Sequence, residues 1–121
     1  MKERRKLERK HLMFYSRIFD RKTGKFIGYL GDITQEGAMI ISEDEIKTGQ
    51  DFMFRMDLPE LIYPQPMINL DMRSVWCQSD VDPNFYNTGF LLMNVSQTDI
   101  VIIERIIQDY GFRGDRNYSP E

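Results

Sequence analysis

The sequence predicts an all-β fold followed by one C-terminal helix, and three observations carry that expectation. Short runs rich in aromatic and aliphatic residues recur every ten or so positions, separated by turn residues. Phe52, Phe54 and Met56 alternate cleanly with Met53, Arg55 and Asp57, the period of a half-buried strand. After Ser96 the apolar period changes to steps of three and four. Together these indicate an antiparallel barrel or sandwich with a helix packed against it.

The elements follow in order. Leu12 to Phe19 reads as a strand, and Asp20 to Lys25 as a hairpin turn in which Gly24 supplies a positive φ. Phe26 to Ile33 returns as a second strand. Gly37 interrupts, and Ala38 to Ser42 forms a third. Glu43 to Gln50 is polar and holds a turn at Thr48-Gly49. Phe52 to Leu58 is the fourth strand. Pro59, Pro64 and Pro66 then mark a loop, because proline cannot donate to a central ladder. Met67 to Gln78 is long enough that a bulge or bend is expected within it. Asp80 to Pro83 turns the chain, and Tyr86 to Val95 is the last strand. Ser96 and Asp99 have the spacing of a capping box. Ile100, Ile103, Ile107 and Tyr110, widened by Ile102 and Ile106, give a helix over 97–110, with Gly111 as its cap.

Length and composition narrow the function. At 121 residues the chain suits one domain, and its 41% hydrophobic content is enough for a core. The longest purely apolar runs are four residues, so membrane insertion is not expected. The charged N-terminus lacks the apolar stretch of a secretory signal, which points to the cytoplasm. The single cysteine, Cys77, excludes an internal disulfide and is expected to be packed. Methionine is plentiful, with gap-filling in the core as its expected use. The net charge of −3 conceals an asymmetry. Residues 1–10 hold six Lys/Arg and two Glu, or +4, whereas the other 111 residues hold ten Lys/Arg and seventeen Asp/Glu, or −7. Positive charge confined to one end suits a small anionic ligand better than DNA or RNA, whose binders spread it over a face.

Enzymatic chemistry finds little support. The only histidine, His11, has no thiol or carboxylate at a diagnostic spacing, and no phosphate-binding or dinucleotide fingerprint is present. No catalytic residue, metal or cofactor is assigned. Two features remain. The first is Arg4-Arg5-Lys6-Leu7-Glu8-Arg9, which alone reads as a solvated charged terminus. Arginine's planar fork nevertheless binds phosphate bidentately, chelates the O6/N7 edge of guanine and stacks on bases. The second is Asp32-Ile33-Thr34-Gln35-Glu36-Gly37, which alone reads as a strand end and turn opener. On a strand, Asp32 and Thr34 share the outer face while Ile33 points into the core. Gly37 would permit a tight turn and the close approach of a ligand.

In this order and spacing, Arg5-x-x-x-Arg9 and Asp32-x-Thr34-x-x-Gly37 resemble the two motifs of the PilZ domain family, bacterial receptors for cyclic di-GMP. Arg4 completes the double arginine often seen there. The resemblance extends through Gly37-Ala38-Met39-Ile40, Val75-Trp76-Cys77 and Gly89-Phe90-Leu91-Leu92 to the closing helix, roughly residues 3 to 112. Thr34 stands where the family more often has serine. Lys10 and His11 stand where apolar residues are frequent.

The resemblance implies a six-stranded antiparallel, Greek-key-like β-barrel. It would occupy residues 12–112, between a flexible basic arm at 1–11 and a loose polar tail at 113–121. It also implies a non-catalytic adaptor acting in trans on an unidentified protein effector, in motility, attachment or exopolysaccharide control. Arg4, Arg5, Arg9, Asp32, Thr34 and Gly37 would contact cyclic di-GMP. The arginine forks would serve guanine O6/N7 and phosphate, and Asp32 and the Thr34 oxygen would serve the N1–H and N2 donors. The alternative is a PilZ-like protein-interaction module that does not bind nucleotide.

Overall fold

Alternation dictates the wall of the molecule. In the computed structural model, which describes residues 16–58 and 66–110, six strands run β1 (Arg17–Asp20), β2 (Phe26–Ile33), β3 (Gly37–Ser42), β4 (Asp51–Asp57), β5 (Met67–Ser79) and β6 (Tyr86–Met93). They close as an antiparallel barrel in the order β1-β2-β3-β6-β5-β4, which removes every sheet edge. The helix α1 spans Gln97–Tyr110. The expected basic arm, the start of the first strand, the Pro59–Pro64 segment and the C-terminal tail lie outside the described residues.

Inward positions of the strands form one core. Ile18, Leu30, Ile33, Ile40, Phe54, Met56, Ile68, Leu70 and Met72 are fully or almost fully buried. The methionine expectation holds for Met56 and Met72, whereas Met53 and Met67 lie on the outer wall. α1 contributes Ile102, Ile103, Ile106 and Ile107 to the same core. Its buried stripe is therefore centred one step from the spacing read in the sequence, and Ile100 is only half-buried. The Ser96 hydroxyl accepts from the Asp99 N–H at 3.1 Å and so starts the helix as a cap.

Turns behave as their residues require. Gly24 (φ 77°) and Gly49 (φ 76°) occupy the left-handed region, and the Gly24 N–H donates to the Asp20 carbonyl at 2.8 Å. β6 ends at Met93 rather than Val95. Asn94 adopts φ 52°, and this left-handed residue turns the chain out of the sheet before the helix. Cys77 is half-buried, and the buried Thr88 hydroxyl across the ladder donates to its sulfur at 3.2 Å.

The outer face of β1, β4 and β5 carries a lattice of ion pairs. Arg73 binds Asp51 bidentately (Nε–Oδ1 2.6 Å, Nη2–Oδ2 3.1 Å), and Arg21 meets Asp71 at 3.0 Å. Arg55 reaches Asp57 at 3.3 Å while its guanidinium lies 4.4 Å from the Phe19 ring centre. The hydrogen bonds from Arg73 hold the Asp51 carboxyl below its ordinary range. A depressed carboxyl pKa adds stability at neutral pH that is lost as pH falls through the lowered value. Carboxyl NMR titration of Arg73→Leu is therefore expected to show Asp51 returning upward to the ordinary carboxylate range. The pair lies on the solvent-exposed surface, so the accompanying stability change will be small.

Candidate functional site

Two irregularities of the barrel wall build one groove. Along β2, Gly28 and Leu30 point inward, so strict alternation would aim Asp32 into the core. Instead the β2–β3 register shifts between Leu30 and Asp32, with Gly31 as the extra residue. The bulge reverses the phase: Asp32 turns outward and Ile33 becomes fully buried. Along β5, Ile68, Leu70, Met72 and Ser74 point inward, and the same rule would bury Trp76. A register shift between Ser74 and Trp76 leaves Val75 as the extra residue and throws Trp76 outward, 42% exposed. The bulge expected from the length of this strand is therefore present.

The two outward-turned residues end one row across four strands. Asp32 pairs with Met39, Met39 with Gly89, and Gly89 with Trp76. With strands about 4.8 Å apart, the row is about 14 Å long. Its middle is low because Gly89 has no side chain: a Cβ there would lie 2.3 Å from the Trp76 indole. The indole thus packs closely against the bare backbone of Gly89. Below runs the inner row Ile33, Ala38, Phe90 and Ser74, all buried. The result is an open groove of about 260 Å³, bordered by Asp32, Thr34, Glu36 and Gly37 on one side and Val75, Trp76 and Leu91 on the other. Among the described residues no Lys or Arg lines it, while Asp32 and Glu36 give it acceptors.

The Thr34–Gly37 turn is fixed by its own threonine. The Thr34 N–H donates to the Gly37 carbonyl at 2.8 Å. The Thr34 oxygen accepts from the N–H groups of Glu36 (3.1 Å) and Gly37 (3.2 Å). A hydroxyl oxygen has two lone pairs, so both are occupied, and its O–H has only a long 3.4 Å contact to the Gly37 carbonyl. What Thr34 keeps for contacts outside the turn is therefore its O–H rather than a lone pair. At Gly37 the space of the missing side chain is taken by β6, since a Cβ would lie 2.3 Å from the Phe90 carbonyl oxygen. Asp32 accepts from the Ile33 N–H at 2.9 Å through Oδ1.

Asp32, Thr34 and Gly37 thus meet on one groove, and Trp76 joins them as a residue not singled out for binding by sequence reasoning. Arg4, Arg5 and Arg9 lie outside the described residues. Residues 3–109, nearly the whole barrel and helix, match the PilZ domain family. The chain belongs to the PilZ domain family. Solved structures agree on the fold. The inhibitor of motility MotI/DgrA of Bacillus subtilis superposes with a TM-score of 0.65 at 10% identity, covering 78% of this chain and 46% of that one. This chain therefore spans about half the length of that protein. The PilZ domain of YcgR from Escherichia coli, solved with c-di-GMP, superposes with a TM-score of 0.61 at 15% identity, covering 80% and 81%. No match was found among curated proteins.

The pairing of Gly89 with Trp76 gives this PilZ domain a local test. In Gly89→Ala the new methyl displaces the half-exposed indole, because a side chain yields more readily than the ladder beneath it. A stability loss of about 1–3 kcal/mol is expected. Emission of the single tryptophan should shift to longer wavelength as the ring enters water. Unchanged emission would contradict the close Gly89–Trp76 contact.

Proposed function

We propose that this PilZ domain is a receptor for cyclic di-GMP. The observation that carries the reading is the convergence of Asp32, the Thr34 turn and Trp76 on one groove that has acceptors and an aromatic face but, among the described residues, no cation. Guanine's N1–H and N2 amine donate, and the outward carboxylate of Asp32 is a matching acceptor. The exposed Trp76 face offers stacking, worth about 1–3 kcal/mol per base. The Thr34 hydroxyl serves an acceptor atom of the ligand, either a phosphate or a carbonyl oxygen. A ligand with two phosphates needs cations, and the basic segment holding Arg4, Arg5 and Arg9 is the local source in the sequence. In this reading Arg5 and Arg9 supply the forks for guanine O6/N7 and phosphate, Arg4 adds charge, and Lys2, Lys6 and Lys10 are background.

Binding fixes the basic segment across the groove and changes the surface offered to a protein effector acting in trans, without catalysis or cofactor. Affinity of about micromolar or tighter fits a few charge-assisted contacts less the cost of ordering the segment. A second reading, protein docking without nucleotide, draws on the half-exposed Val75, Trp76 and Leu91. Fluorescence of Trp76, the only tryptophan, separates the two. Saturable quenching by cyclic di-GMP, absent with cyclic di-AMP, is expected of the receptor. No response to either nucleotide would favour docking.

A further inference from the structure

We propose that Gln35 and Glu104 form a latch between the groove and α1, so that ligand affinity depends on how α1 is seated. The proposal rests on the receptor reading. Gln35 sits inside the turn whose flanking residues, Thr34 and Gly37, line the groove. Its amide Nε2 donates to Glu104 Oε2 on α1 at 2.7 Å, joining residues 69 apart in the chain. Both side chains are exposed, so the bond is not there to satisfy buried polar groups.

On the sheet side the turn is held by the Thr34 N–H donating to the Gly37 carbonyl, by the Thr34 oxygen holding the N–H groups of Glu36 and Gly37, and by the Leu92 N–H donating to the Glu36 carbonyl at 2.9 Å. Glu104, by contrast, belongs to a separate element seated in the core by Ile102, Ile103, Ile106 and Ile107. A shift of α1 therefore reaches the turn through Gln35, and ligand that steadies the turn steadies α1 by the same factor, as linkage requires. The charge of Glu104 distinguishes position from electrostatics. A carboxylate near the site of a dianion disfavours binding through its field, so deleting it would tighten binding if field alone mattered.

Glu104→Ala and Gln35→Ala are each expected to weaken cyclic di-GMP binding about two- to fivefold by calorimetry, the range of an exposed polar pair. The double variant should be no weaker than either single one. Alanine is the best helix former, so Glu104→Ala keeps α1, and Gln35→Ala leaves α1 untouched. In the native protein, ligand should also slow amide hydrogen exchange in α1, and this slowing should be reduced in both variants. A purely structural bond would not produce that change. Unchanged or tighter affinity in Glu104→Ala, additive losses in the double variant, or ligand-independent exchange in α1 would each overturn the latch. Absence of binding by the native protein would reject the receptor reading and the latch together; native binding with unaffected variants would reject the latch alone.

Discussion

Phe54→Ala is expected to cost about 3–5 kcal/mol of folding stability, the range for emptying a buried aromatic site. Phe54 is completely buried on β4 and is stacked on Phe52 at 5.1 Å between ring centres with an interplanar angle of 12°. It also meets Phe90 edge-on at 5.5 Å and 77°. Phe90 belongs to the inner row directly beneath the groove, and its carbonyl oxygen is the atom that excludes a side chain at Gly37. Truncation therefore leaves a cavity and loosens the layer supporting the site. Domains of this size hold only about 5–15 kcal/mol in total, so the loss is a large share. Denaturant unfolding should show a lower midpoint with an unchanged slope. Phe54→Leu, which keeps most of the volume, should cost less. A loss below about 1 kcal/mol in Phe54→Ala would mean that the core refills the space and that this aromatic cluster does not organise the barrel.

The second large effect concerns binding. Arg5→Ala, Arg9→Ala and Asp32→Ala are each expected to weaken cyclic di-GMP binding about 10- to 100-fold, since a good bidentate contact is worth about 1–3 kcal/mol. Asp32→Asn is the sharper variant. It retains an oxygen for the Ile33 N–H, now held at 2.9 Å, but turns an amide donor toward the donors of guanine. It should bind about as poorly as Asp32→Ala while folding normally. Thr34→Ser keeps the hydroxyl that fixes the turn and should preserve affinity. Lys6→Ala should change affinity little; a loss equal to that of Arg5→Ala would point to nonspecific charge attraction.

How far the sequence disclosed these sites depended on how local each signal was. The strands were legible because alternation and turn residues are local, and α1 because Ser96 and the isoleucine spacing are local. The outward aim of Asp32 was legible through its neighbour Ile33, whose hydrophobicity demands the core. The bulge that makes both orientations possible was hidden, because Gly31 looks like any strand residue until the register with β3 is known. The outward aim of Trp76 is hidden for the same kind of reason. A bulky residue at an inward-phased position of β5 becomes a groove wall only because Val75 is looped out and Gly89 lies opposite. The ladder partner decides the role, and partners are set by topology. The hydroxyl of Thr34 is legible as a polar group, but that the turn it closes occupies both lone pairs is not. Gln35 and Glu104 gave no sequence signal, since nothing in either local pattern brings together residues 69 apart.

The central claim is that the groove around Asp32 and Trp76 receives cyclic di-GMP. Isothermal calorimetry of the native protein with that nucleotide tests it most directly. A saturable heat with a dissociation constant in the micromolar range or tighter is predicted. Heats no larger than those of buffer dilution, at about tens of micromolar ligand, would contradict the account.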